Sequence, residues 1–106
     1  MREVAYAGGS FLTGDEIADV LLEYAAELAN ADRAATVHIP SIDAGGEVRD
    51  VVIVIGPASQ VLSEPVHSAV DDPDAGDFVT EVTERINQLR RSPVSPADPS
   101  SVDWDL

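Results

Sequence analysis

His38 and His67, together with twenty carboxylates, are the groups in this 106-residue chain that could do acid–base or metal chemistry. An imidazole beside a carboxylate can relay a proton or ligate zinc. The spacing builds neither site. No two histidines share a helix face, no serine sits in a Gly-x-Ser-x-Gly turn, and no cysteine is present to supply a thiolate. His38 alternates with Val37 and Ile39, which sets it on the solvent side of a strand, an ordinary place for a histidine. Carboxylate pairs are everywhere in so acidic a chain, so their presence alone assigns no acid–base dyad. No catalytic residue, metal ligand or cofactor is assigned.

Two further motifs come close to known ligand sites and fail on chemistry. Gly9 and Gly14 are spaced like the glycines of a phosphate-binding loop, but Asp15 and Glu16 follow where Lys and Ser or Thr belong. Carboxylates already neutralise that helix start, so the glycines are read as freedom to turn. The acidic loop 71–77, aligned as a calcium loop from Asp72, places Asp74 correctly. It then puts Gly76 at a ligand position, Asp77 where glycine is needed and Thr83 where the bidentate glutamate belongs. The loop is read as a solvated approach to a helix.

Charge bounds the partners more firmly. Six arginines and no lysine against twenty acids leave a formal net charge of −14. GC-rich coding, adaptation to salt and selection for a partner all produce this balance. A field of that sign repels phosphates and anionic lipid, so neither nucleic acid nor a membrane surface is expected as a ligand. No apolar run is long enough to span a bilayer, and residues 1–12 lack the pattern of a secretory signal. With no cysteine to form disulfides, a cytoplasmic location is expected.

The elements that must position any site follow from periodicity. Residues 2–6 alternate as a short strand, and Gly8-Gly9-Ser10 ends it. Thr13-Gly14-Asp15-Glu16 reads as a capping box opening a helix over 14–29, with Ile17, Val20, Leu21, Tyr24, Ala25 and Leu28 on its apolar face. Asn30 is the expected left-handed residue at its end. Ala35–Ile42 and Val48–Ile55 read as strands joined by Asp43-Ala44-Gly45-Gly46-Glu47, a hairpin loop. Pro40 marks the first of these as an edge strand, or as ending there. Residues 58–62 fit a helical turn or a strand equally. A second helix over 77–91 starts at Asp77 and buries Phe78, Val79, Val82, Ile86 and Leu89.

These elements make an α/β (α+β) two-layer sandwich, two helices on a small, mainly antiparallel sheet, in the order β-α-β-β-(β?)-α over residues 1–91. Residues 92–106, rich in proline, serine and acid, read as a disordered tail. Val51-Val52-Ile53-Val54-Ile55 is apolar on both faces and predicts a central strand or a covering second layer. Either both helices lie on one side and a partner covers the other, or the helices split between sides. Residues 58–70 could also supply the cover.

The function expected is a non-catalytic protein-interaction module or small regulator that self-associates as a homodimer and binds a protein partner with a basic face. The helix acids Asp15, Asp19, Glu23 and Glu27 would form its charged rim. Trp104, the one tryptophan, would be an aromatic anchor within the acidic tail. Two alternatives stand beside it. One is an acidic nucleic-acid mimic that occupies a DNA-binding protein. The other is a small enzyme or metal-binding domain using His38 and His67.

Overall fold

A computed structural model describes residues 1–91; the expected tail and Trp104 lie outside the described residues. The elements run β1 (Arg2–Tyr6), β2 (Gly9–Thr13), α1 (Asp15–Asn30), β3 (Ala35–Ile42), β4 (Val48–Ile55), β5 (Val61–Pro65) and α2 (Phe78–Arg91). The strands form one antiparallel sheet in the order β4-β3-β2-β1-β5, with two helices packed on it. The α+β architecture is as expected, with one strand more before α1.

That extra strand is β2. Gly8-Gly9-Ser10 does not simply end β1. Ala7 and Gly8 take positive φ values of 20° and 90° and turn the chain in a two-residue hairpin. Positive φ at both central positions matches the twist of the flanking strands. β1 and β2 then pair from Arg2↔Thr13 to Tyr6↔Gly9. Residues 58–62 divide between a turn, in which Ser59 N–H donates to the Gly56 carbonyl at 3.0 Å, and the start of β5.

Thr13 is the main correction at the start of α1. It is not a cap but the last residue of β2, fully buried, and its Oγ1 donates to the Pro40 carbonyl at 2.7 Å. The N-cap is Gly14, which makes no side-chain cap bond. The reason lies in β3. Pro40 has no amide hydrogen, and in an extended strand a residue's N and C=O face the same neighbour. A complete backbone pair toward β2 is therefore impossible at Pro40, and its carbonyl is satisfied by the threonine hydroxyl in place of a backbone N–H. β3 is consequently an internal strand, between β2 and β4, and not the edge that its proline suggests.

At its other end α1 runs to Asn30, and Asp32 takes the left-handed conformation in place of Asn30, with φ 55°. Arg33 N–H reaches the Leu28 carbonyl at 2.9 Å and Asp32 N–H the Ala29 carbonyl at 3.2 Å, which satisfies the last turn.

One face of the sheet and both helices share a single core. Val4, Phe11, Val37, Ile39, Ile53 and Ile55 meet Ile17, Leu21, Tyr24 and Leu28 of α1 and Phe78, Val82 and Ile86 of α2. Each fully buried aliphatic side chain contributes roughly 1.5–3 kcal/mol relative to exposure. Both helices therefore lie on the same side.

The sheet is sharply bent. β2 meets β3 through the pair Leu12↔Ile42 alone, whereas β3 and β4 pair along their whole length. Were the sheet flat, this register would set Ile55 and Val61 about 33 Å apart along the strands. The six Cα steps between them cover at most about 21 Å. The β3–β4 hairpin must fold over at the Leu12–Ile42 contact for the chain to reach β5.

The Thr13–Pro40 bond stands at that bend. Thr13→Val keeps the shape and raises strand propensity, yet it leaves the partly buried Pro40 carbonyl without this donor. We expect it to destabilise the fold by about 1–3 kcal/mol. Urea unfolding of Thr13→Val against the parent chain checks this, and an unchanged midpoint would refute the role of the hydroxyl.

Candidate functional site

β4 is an edge strand, contrary to the central position expected from its apolar run. Its side chains alternate. Ile53 and Ile55 enter the core, while Val48, Val52 and Val54 are 70%, 49% and 68% exposed on the outer face. Those fractions settle the earlier question of cover. The helices lie on one side, and residues 61–65 form β5 at the far edge, so among the described residues nothing lies over the outward valines.

The register places the rest of this surface. Thr36 stands opposite Val54, His38 opposite Val52 and Pro40 opposite Asp50, all on the outer face. His38 Nδ1 and Asp50 Oδ2 lie 3.0 Å apart, both well exposed. The pair bridges the middle of the valine row and fixes the imidazole against β4. Arg49 alternates to the other side. It is exposed and makes no ion pair among the described residues. The free edge of β4 also presents backbone donors and acceptors, which can receive another strand.

A cleft of about 450 Å³ opens at the bend, between β2 and the tip of the β3–β4 hairpin. Phe11, Leu12, Ile42 and Val51 line it, with Arg49 and Asp50 at its margin. Among the described residues no group of three or more His, Asp or Glu side chains gathers as a metal site would require. His67 lies in the irregular stretch after β5 and is not joined to His38, whose partner is Asp50.

The helix acids named as a rim are mostly engaged internally. Asp15 accepts from the Met1 ammonium at 3.0 Å, and Asp72, from the acidic loop, stands 3.2 Å from the same group. Glu23 and Glu27 both hold Arg90, at 2.9 and 3.2 Å, which ties the end of α2 to α1. Asp19 is exposed and has no ion partner among the described residues. The acidic loop is thus a clamp on the start of α1. Asp74 turns the same loop by accepting from Gly76 N–H at 2.9 Å. Periodicity placed the α1 acids on one face but could not reveal which arginine would reach them across 63 or 67 residues.

Two cations are held charged by this arrangement. The hydrogen bond from Asp15 is the largest influence raising the Met1 amine above its ordinary 8.0; desolvation opposes it and Asp72 adds to it. Glu27 first, then Glu23, raise the Arg90 guanidinium. No family model matches the chain, and no curated protein or solved structure is significantly similar to it.

Since the folded-state amine titrates above its unfolded value, its contribution to stability is complete below pH 8.0 and is lost as pH rises through the raised value. Thermal melts across the alkaline range should show stability falling in that window. An N-terminally acetylated chain, which has no amine to titrate, should lack this component. Equal alkaline losses in both forms would refute the clamp.

Proposed function

We propose that the chain is a non-catalytic protein-interaction module whose docking surface is the outer face and free edge of β4. The observation that carries this reading is the row of exposed valines on an unpaired strand edge. Apolar side chains on one face, at Val48, Val52 and Val54 with Asp50 among them, next to open backbone groups are what an added strand needs. Main-chain hydrogen bonds then give affinity, and alternate side chains give specificity. The reading includes self-association through the same surface and a cytoplasmic setting.

The partner class follows from charge. With a net charge of −14, the chain favours a protein segment that combines apolar and basic residues. The neighbouring acids Asp43, Glu47 and Asp50 outnumber Arg49 at the head of β4. The nucleic-acid mimic gains no support from α1, because Arg90 and the Met1 amine interrupt its row of acids. The enzyme reading gains no assembled pair of imidazoles.

An extended peptide alternating Val and Lys should bind the full chain, more weakly as salt rises, while a Val/Glu peptide should not. Val54→Asp should abolish that binding and lower the concentration-dependent mass in sedimentation, with the circular dichroism spectrum unchanged. Binding indifferent to Val54→Asp would sink this assignment.

A further inference from the structure

We infer that the occupant of the β4 edge is an antiparallel strand of another protein, apolar in the main, in which a cation is followed directly by an acid. This inference rests on the β4 edge being a docking surface, and it states what that surface selects.

The backbone sets the phase. Asp43 N–H donates to the Glu47 carbonyl at 2.9 Å, so the odd-numbered residues of the β3–β4 hairpin bond to one another. Bonded and non-bonded pairs alternate along an antiparallel ladder. The amides and carbonyls of Val48, Asp50, Val52 and Val54 therefore point to the open edge. The Pro40 carbonyl, turned away from β4 to Thr13, agrees with that phase. A strand added there meets these four residues in hydrogen-bonded pairs, its own side chains opposite theirs on the outer face.

Apolar contacts cannot fix the register, because Val and Ile recur along β4 and a slip exchanges one for another. The charges can. β4 is charged at Arg49 and Asp50 and nowhere else. Asp50 Oδ2 is held by His38 Nδ1 at 3.0 Å, while its Oδ1 accepts no hydrogen bond among the described residues. Arg49 is exposed and has no ion partner among the described residues. An antiparallel strand, read from its N-terminus, meets Val54 first and Val48 last. A cation opposite Asp50, with an acid next to it opposite Arg49, answers both charges on the two faces of the sheet. A slip of one residue either way sets like charges opposite each other. A slip of two leaves Arg49 and Asp50 both unmatched.

A second copy cannot offer this pattern. Copies paired through β4 about a two-fold axis set outer residues against outer ones. Asp50 then meets Val48, Asp50, Val52 or Val54 of the second copy, none of them a cation, and Arg49 meets no acid of that β4. The net charge of −14 on each copy adds a repulsion that a basic partner lacks.

Two end-capped peptides of one composition, Val-Thr-Val-Thr-Lys-Glu-Val and Val-Thr-Val-Thr-Glu-Lys-Val, each preceded by a pair of lysines, test this by calorimetry on the full chain. The cation-first peptide should bind about fivefold tighter. Arg49→Asp combined with Asp50→Arg should reverse the preference. Asp50→Asn, which keeps a partner for His38, should reduce it. Both positions are exposed, so the circular dichroism spectrum should not change. Equal affinity for the two peptides, or preference for the acid-first one, overturns the inference; if that binding is still abolished by Val54→Asp, the docking surface stands. A mass that stays at two copies under saturating peptide would make a second copy the occupant and overturn it as well. Failure of both peptides and of the Val/Lys peptide to bind would reject the docking surface itself.

Discussion

A five-stranded sheet has two faces, and this chain carries helices for one of them. The inward side chains of β1 to β4 and the apolar stripes of α1 and α2 close a single core, and every other strand residue is left outside. On β1, β2 and β5 the outward positions mix Glu3, Ser10 and Glu64 with Leu62, which is 55% exposed. On β4 they are Val48, Val52 and Val54, with Asp50 among them. The same alternation that lets Ile53 and Ile55 fill the core obliges the intervening valines to face outward, because successive strand side chains point to opposite sides. The exposed valine row is thus a direct consequence of one-sided cover among the described residues.

The bend between β2 and β3 decides the rest of the layout. Pro40 lacks a backbone donor where β3 faces β2, the Thr13 hydroxyl donates to its carbonyl, and the two strands pair through Leu12↔Ile42 alone. So weak a junction allows the β3–β4 hairpin to fold over. The short link from Ile55 to Val61 can then cross to the opposite edge. The few cations act in a similar structural capacity. Arg90 joins the helices through Glu23 and Glu27, and the Met1 amine joins β1 to α1 and to the 71–77 loop. Exposed pairs of this kind contribute modestly to stability. Their larger consequence here is to pair three of the four named α1 acids with cations of the same chain.

Much of the fold was legible because local physics settles it. The bounds of β1, β3 and β4 and the apolar stripes of both helices follow from alternation and from three- and four-residue spacing. β2 was missed because two glycines and a serine read as a break, although Ala7-Gly8 is a hairpin turn in which φ is positive at both positions. Thr13 was misread because a capping box and a strand-ending threonine share the same letters. What separates them is Pro40, 27 residues away. Of the candidate site, the unusual character of residues 51–55 was visible, but the side on which cover was lacking was not.

Composition, charge sign, the amphipathic helices and the β3–β4 hairpin were determined by the sequence itself, because each depends on residues within a few positions of one another. Which strand would stand at the edge, which face would go uncovered and which arginine would neutralise which acids were decided by the tertiary structure. Those outcomes depend on pairings between distant segments, and period alone carries no information about a strand's neighbours. An unbroken run such as Val51-Val52-Ile53-Val54-Ile55 has the same letters whether buried on both faces or one, and only the placement of α1 and α2 on a common side tells them apart.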